Sequence, residues 1–382
     1  MILYPEYAFR ASASGLKLFL DVVFPSLLPF FILSEVFSAY GMVHFLGVFF
    51  EPVMRPLFNV PGVGSFVLSM GLAAGYPMDA VLTAKFRRQG LCTAAEGERL
   101  LAFTNTADPL FLLGAVAVGM FQDPALGGVL AAAHYGGSLV VGLVFRYWKR
   151  GDPGSEEASG AGRGPLWNRA VAALLGARAR DGRTLGVIFN DAIREAVATL
   201  FMIMSFIVLF SVVVRILTVT GVARIVTWPL EVALAAVGLS PHLVAGVIQG
   251  LFEIDLGAAQ AAHASAPFLE RLALVSGIVA WSGLSVHGQV ASVLTGTDIS
   301  MRPYFLARLL HAGVASLLTV LLYPVLGGGP VVAATGTGLP GFWGAFAFGG
   351  EAFALAGGAL LLGAVAVLVS RSAGIWALWV RR

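Results

Sequence analysis

Charge is scarce in this chain and cysteine is nearly absent. Only 12% of its 382 residues are Asp, Glu, Lys or Arg, 58% are hydrophobic, and there is one cysteine, Cys92. A single thiol cannot close an intramolecular disulfide or build a cysteine cluster for a metal, so Cys92 reads as a small apolar filler. The apolar excess, with a mean hydropathy of +0.86, cannot surround one water-soluble core without leaving an apolar exterior. Common enzyme signatures are also missing: there is no Gly-x-Ser-x-Gly elbow, no His-Glu-x-x-His helix and no Gly-x-x-x-x-Gly-Lys-Ser/Thr phosphate loop. An enzyme, an ATP-driven pump, a cofactor and a metal site are therefore not expected. The amino terminus lacks the features of a cleaved secretory signal and is punctuated by Arg10, Lys17 and Asp21. The net charge of +3 gives nucleic-acid binding no support, because the bases sit in loops where membrane topology explains them.

What is present is a series of windows long enough to cross a bilayer, about 20 residues each, near 16–38, 98–121, 125–147, 192–217, 270–294, 303–325 and 349–370. The fold class expected is an all-α polytopic membrane protein, multi-pass and embedded in lipid. Basic connections are retained on the cytoplasmic side. Residues 146–183 carry eight bases, Arg146, Lys149, Arg150, Arg163, Arg169, Arg178, Arg180 and Arg183, against Asp152, Glu156, Glu157 and Asp181, which predicts a cytoplasmic linker. Its first part, Gly151 to Gly164, reads as flexible. The uncharged Gly/Pro-rich stretch 326–345 suits an external loop, and the tail Arg371, Arg381 and Arg382 returns inside.

Two stretches echo each other 180 residues apart. Gly41, Glu51 and Pro61 recur as Gly221, Glu231 and Pro241, each leading into a hydrophobic segment broken by helix-disrupting residues. His134 and His311 follow at an offset of 177. Such an echo points to duplication. Charge placement gives the first half an external start, a crossing at 16–38, an interfacial stretch at 41–60, a re-entrant hairpin broken at Gly75-Tyr76-Pro77, and two further crossings. Three crossings is an odd number, so the second copy, with its hairpin near 241–266, is expected upside down: an inverted repeat with two re-entrant hairpins and broken transmembrane helices. The alternative is that Gly75-Tyr76-Pro77 merely kinks a full crossing. The divisions are then 1–148, a linker at 149–184, a second repeat at 185–325, and 326–382 as loop, span and tail.

Polar groups deep in a membrane are expensive without partners and mark candidate sites. The first cluster is Thr104-Asn105-Thr106-Ala107-Asp108-Pro109, where Pro109 has no N–H for the carbonyl of Asn105. Hydroxyls, an amide, a carboxylate and an open carbonyl lie together there, as a solute site or as a network tying helices. Its counterpart runs from Trp281 to Gln289; on a continuous helix Ser282, Ser285 and Gln289 would share one face, with His287 on another unless Gly283 or Gly288 breaks the helix. The second hairpin carries Gln249, Glu253, Asp255 and His263, where Glu253 and Asp255 could carry a proton or cation and Glu253 could pair with His263. Tyr76 could line the break or anchor an interface. His134 and His311, followed by Gly136-Gly137 and Ala312-Gly313, read as packing histidines at close helix contacts.

The segments Phe24-Pro25-Ser26-Leu27-Leu28-Pro29-Phe30-Phe31, Leu72-Ala73-Ala74-Gly75-Tyr76-Pro77-Met78, Phe103-Thr104-Asn105-Thr106, Gly250-Leu251-Phe252-Glu253-Ile254 and Gly283-Leu284-Ser285-Val286-His287 together resemble the YlbJ (SpoVV) family of sporulation integral membrane proteins of endospore-forming Firmicutes. The resemblance spans nearly the whole chain. It implies a nucleoside-recognition "gate" domain, a fold similar to the concentrative nucleoside transporters, and movement of dipicolinic acid across the outer forespore membrane; the cell membrane is the alternative location. Two departures stand out. Family members usually carry a hydrophobic segment before the stretch matching Tyr4-Pro5-Glu6, and Asp79 stands where a small residue is expected.

Dipicolinate would be a planar aromatic dianion, so a site for it needs donors, and the sequence offers carboxylates but few fixed cations. The substrate-binding residues expected are Tyr76, Thr104, Asn105, Thr106, Trp281, Ser282, Ser285, His287 and Gln289, with helix-end N–H groups assisting and Tyr76 or Trp281 stacking on the ring. Asp108, Glu253 and Asp255 are expected in ion coupling or in support of the site. Two other functions stay open: an ion-coupled carrier of a nucleoside-like solute, and a non-transporting sporulation scaffold acting through the linker.

Overall fold

The computed structural model describes residues 2–155, 165–236 and 238–326. The expected crossing at 349–370, the loop at 326–345 (beyond its first residue) and the tail arginines lie outside the described residues. Within them the chain is helical, and no strand occurs.

Helix α1 (Pro5–Leu18) runs through a π-wound turn, Phe19–Val23, into α2 (Phe24–Ala39). Pro25 has no N–H for the carbonyl of Asp21, so the widened turn sits where the regular ladder would fail. At Gly41, φ +82°, the chain turns sharply and α3 (Met42–Phe58) leaves α2 at 81°. A side chain at Gly41 would meet the Leu174 carbonyl at 2.5 Å, so glycine is needed both for the turn and for that close approach. The first hairpin follows as α4 (Gly64–Ala74) and α5 (Met78–Arg88), then α6 (Ala94–Thr104), a π-wound segment at Phe111–Met120, and α7 (Leu126–Phe145). Helix α8 (Leu166–Asp181) leads to the second series: α9 (Leu185–Val219), α10 (Ala223–Ala236), α11 (Val244–Phe252), α12 (Ile254–Ala262), α13 (Phe268–Trp281), α14 (Gly283–Val293) and α15 (Met301–Leu326).

From the helix before each elbow onward, the order repeats: helix, elbow, second helix, two-armed hairpin, broken span, long unbroken helix. Among the described residues, four stretches are long and apolar enough to cross a bilayer: α7, α9, α13 with α14, and α15. The windows at 16–38 and 98–121 belong instead to helices interrupted by the π turn and by the 105–110 break.

The two halves pack crosswise. Ala80 and Ala84 of α5 lie with Val286 and Val290 of α14 in one core cluster. Ala258 and Ala261 of α12 lie with Leu112 and Val116 of the π-wound segment in another. Each hairpin's second arm therefore rests on the second part of the other half's broken span.

The beginning of the linker is anchored rather than loose. Ser155 receives hydrogen bonds from Arg55 and donates its N–H to Glu96 at 3.1 Å, and Asp152 accepts from Thr93 at 3.0 Å. Buried Arg99 donates to the carbonyls of Trp148, Asn59 and Lys149 at 2.7–2.8 Å. Gly/Ser composition signalled flexibility, but buried acids and an arginine on α3 and α6 hold residues 148–155 in place.

Candidate functional site

Helix α6 is started by a capping box between Thr93 and Glu96 and ends at Thr104, after which Asn105 turns to extended geometry. Pro109 prevents the helix from closing over the carbonyl of Asn105. The freed carbonyl is taken by a side chain from the other half: Arg308 Nη1 donates to it. The Asn105 amide donates to Asp79 Oδ1 at 2.8 Å and accepts from the Tyr304 hydroxyl at 2.8 Å. The Thr104 hydroxyl stands 3.3 Å from Asp79 Oδ2 and 2.8 Å from the Leu100 carbonyl. Thr104, Asn105, Thr106 and Asp79 are all buried. Asp79, in the first turn of α5, is the acceptor that organises this cluster, and it faces the positive end of its own helix.

The other broken span ends at Trp281. Ser282 takes a left-handed conformation, φ 68°, and α14 begins at Gly283. This corrects the expected common face: Ser285 and Gln289 share the α14 face, whereas Ser282 sits in the break. All three are buried. The His287 ring lies between Trp281, at 4.3 Å between centroids, and Phe305, at 4.6 Å, with Tyr304 at 5.0 Å. Its Nδ1 is 2.7 Å from the Gly283 carbonyl and therefore carries the proton, leaving Nε2 buried without a partner. Trp281 donates to the Leu251 carbonyl at 3.1 Å, and its ring lies tilted by 37° against that of His287. The Tyr76 hydroxyl donates to the Val279 carbonyl at 2.8 Å, tying the first hairpin to α13.

Each hairpin break abuts a span break of its own half. A Cβ at Gly75 would lie 2.9 Å from Asp108, and one at Gly283 would lie 3.0 Å from the Phe252 carbonyl and 3.1 Å from Glu253. Asp108 accepts from the Phe111 N–H at 2.9 Å and Glu253 from the Leu256 N–H at 2.8 Å. Both carboxylates cap the segments that restart after a break. Glu253 and His263 do not pair: His263 is exposed and bonded to the Ala259 carbonyl.

Sequence reasoning missed Tyr304 and Arg308. They stand with His311 at i, i+4 and i+7 on α15, and all three are fully buried. Arg308 bonds the carbonyls of Ala102 and Asn105 at the end of α6, reaches the Ala280 carbonyl at the end of α13 at 3.4 Å, and lies 3.1 Å from His311 Nδ1. One guanidinium thus sits at the negative ends of both broken helices. Since arginine only donates, His311 carries its proton on Nε2 and donates a hydrogen bond to the His134 carbonyl at 2.7 Å. His134 Nε2 in turn accepts from the Ala107 N–H at 3.0 Å. The two equivalent histidines therefore meet and belong to the network around the first break. Gly137 does permit close packing, since a Cβ there would stand 3.1 Å from the His311 ring, but Gly313 faces open space. The signal available in sequence was this spacing of Tyr, Arg and His inside an otherwise apolar window.

Residues 20–123 match the Gate family, described as nucleoside recognition. Over 326 residues the chain is 44% identical to the sporulation integral membrane protein YlbJ of Bacillus subtilis (strain 168), covering 85% of this chain and 80% of that protein. No solved structure matches. Four or five apolar spans, interrupted polar breaks at the centre and this identity lead to one conclusion: the chain belongs to the YlbJ family of sporulation integral membrane proteins.

Proposed function

We propose that this protein is a secondary carrier, not an enzyme, that moves a small aromatic anion, dipicolinate, across the outer forespore membrane during sporulation. The observation that carries the reading is the pairing of breaks, Gly75 with Asp108 and Gly283 with Glu253. Interrupted backbone at membrane depth is tolerated only where protein or a water-filled path covers it, and paired broken helices are how many carriers place a solute site. The charge-based topology supports hairpins entering from opposite sides, with alternating access between the halves. Asn105, Thr104, Tyr304, Ser285 and Gln289 supply polar partners for the solute, and the Tyr76, Trp281 and Tyr304 rings supply stacking surfaces. In this reading Asp108, Glu253 and Asp255 take the coupled proton or cation.

A strain carrying a true deletion is expected to accumulate dipicolinate in the mother cell and to form spores poor in it. Normal spore dipicolinate in that strain would end the proposal. A second reading, a nucleoside-like solute carried with a proton or cation, draws support from the nucleoside-recognition match over residues 20–123. Proteoliposomes loaded with the purified protein and offered each solute separate the two: uptake of a nucleoside but not dipicolinate selects the second.

A further inference from the structure

We propose that Arg308 is the counter-ion of the solute, and that a solute carboxylate binds by displacing the helix-end carbonyls that the guanidinium holds in this structure. The inference rests on the carrier reading and specifies the group at its centre.

A fully buried arginine in a membrane span is costly unless partnered, and the partner names its role. Among the described residues no carboxylate lies within ion-pairing distance of Arg308. Its hydrogen-bond acceptors are three backbone carbonyls and one imidazole nitrogen, while Asp79, held by the Asn105 side chain, acts on it through space without a direct ion pair. The guanidinium is solvated by dipoles in its contact shell, and its nearest hydrogen-bonded partners include no anion.

Arg99 provides an internal comparison. It too is buried and bonded to carbonyls, but its Nε, Nη1 and Nη2 each donate to a different one, a saturated arrangement suited to holding backbone in place. Arg308 differs at one atom: its buried Nε–H has no partner. Nε and Nη2 together form the edge of a guanidinium that grips a carboxylate with two parallel hydrogen bonds. The edge left incomplete is thus the one a carboxylate would use, and a carboxylate is the stronger acceptor.

The exchange has a mechanical consequence. The carbonyls of Ala102 and Asn105 belong to the first half and that of Ala280 to the second. When a carboxylate takes the guanidinium, the ends of α6 and α13 lose their shared tie. Solute binding therefore loosens the joint between the halves at the point where they must move. The Asn105 amide and Tyr304 hydroxyl, already beside the guanidinium, can re-pair with the freed groups.

The test uses the full-length purified protein and calorimetric binding of three probes: pyridine-2,6-dicarboxylate, pyridine-2-carboxylate and the uncharged pyridine-2,6-dicarboxamide. Wild type is expected to bind the diacid, to bind the monoacid more weakly, and to bind the diamide roughly tenfold more weakly or worse. Arg308→Lys, which keeps the charge but loses the two-pronged edge, should raise the diacid Kd roughly tenfold or more while leaving diamide binding unchanged. Diamide bound as tightly as diacid by wild type overturns the inference without any variant, as does an Arg308→Lys protein that binds the diacid with wild-type affinity. Wild type that transports the diacid yet fails either comparison refutes Arg308's role and leaves the carrier reading standing. Wild type that binds none of the probes overturns both.

Discussion

Replacing Gly257 by alanine tests the second hairpin where its arms are closest. A Cβ at that position would stand 2.1 Å from Gly250 Cα and 2.3 Å from its nitrogen. Carbon atoms come to rest at about 3.5 Å, so the arms α11 and α12 would have to part by about 1.4 Å. The obstructing atoms are backbone, and no side chain can swing aside. Overpacking of this kind costs about 1–3 kcal/mol, which for a large chain is a fall in Tm of roughly 2–6 °C. The parting would also disturb Glu253, which lies between the arms and touches Gly283 of the broken span. Gly313→Ala is the control, because nothing lies within 4 Å of its added methyl and alanine is the better helix former by about 1 kcal/mol. Thermal unfolding of the purified proteins, followed by tryptophan fluorescence, is the assay. If Gly257→Ala unfolds at or above the temperature of Gly313→Ala, the two arms are not in contact and the hairpin described here is wrong.

Arg99→Ala strands three carbonyls and should lower stability by about 3 kcal/mol, read as one of the larger Tm losses in an alanine scan of α6; a change within 1 °C contradicts its anchoring role. Tyr304→Phe removes the donor to Asn105 Oδ1 and should cost about 1–3 kcal/mol, with solute binding weakened as well; unchanged binding and Tm would place the hydroxyl outside the network. The hydrogen bonds and charge of Arg87 hold the Asp298 carboxyl below the usual carboxylate range. Its folded value being the lower one, that contribution is present at neutral pH and is lost as pH falls through it. Asp298→Asn should therefore lower Tm slightly at pH 7 in low salt, with the difference vanishing in acid and in high salt; a difference that grows in acid contradicts the sign.

Much of the architecture could be read from local chemistry. The breaks at Gly75-Tyr76-Pro77 and at 105–109 announce themselves because proline and glycine interrupt the helix ladder wherever they stand, and the Pro109 argument identified the very carbonyl that Arg308 captures. What answers each break was not legible, since the donors arrive from about 200 residues away. Arg308 stands near one end of the apolar window 303–325, and only the packing of α15 against α6 and α13 makes it central. The local bonds of the acids were equally hidden. Glu253 and Asp108 read in sequence as candidates for a proton or cation, and in the structure each also has one oxygen committed to the N–H of a restarting helix. Likewise the Gly/Ser-rich start of the linker carries no local sign that Arg55, Glu96 and Arg99 will fasten it.

The crosswise cores bear on where such a molecule could have come from. The face of α5 that meets α14 and the face of α12 that meets the 111–120 segment are each completed by the opposite half. A protein consisting of either half alone would present that face bare, and the natural cover for it is a second copy of the same half. Were the echo between the halves the trace of a duplication, an unduplicated ancestor would have had to work as a pair of identical chains, and gene fusion would have converted an assembly between molecules into a single one. In the joined chain the halves are unlike, one carrying the asparagine and threonines around Asp79, the other the arginine that reaches Asn105.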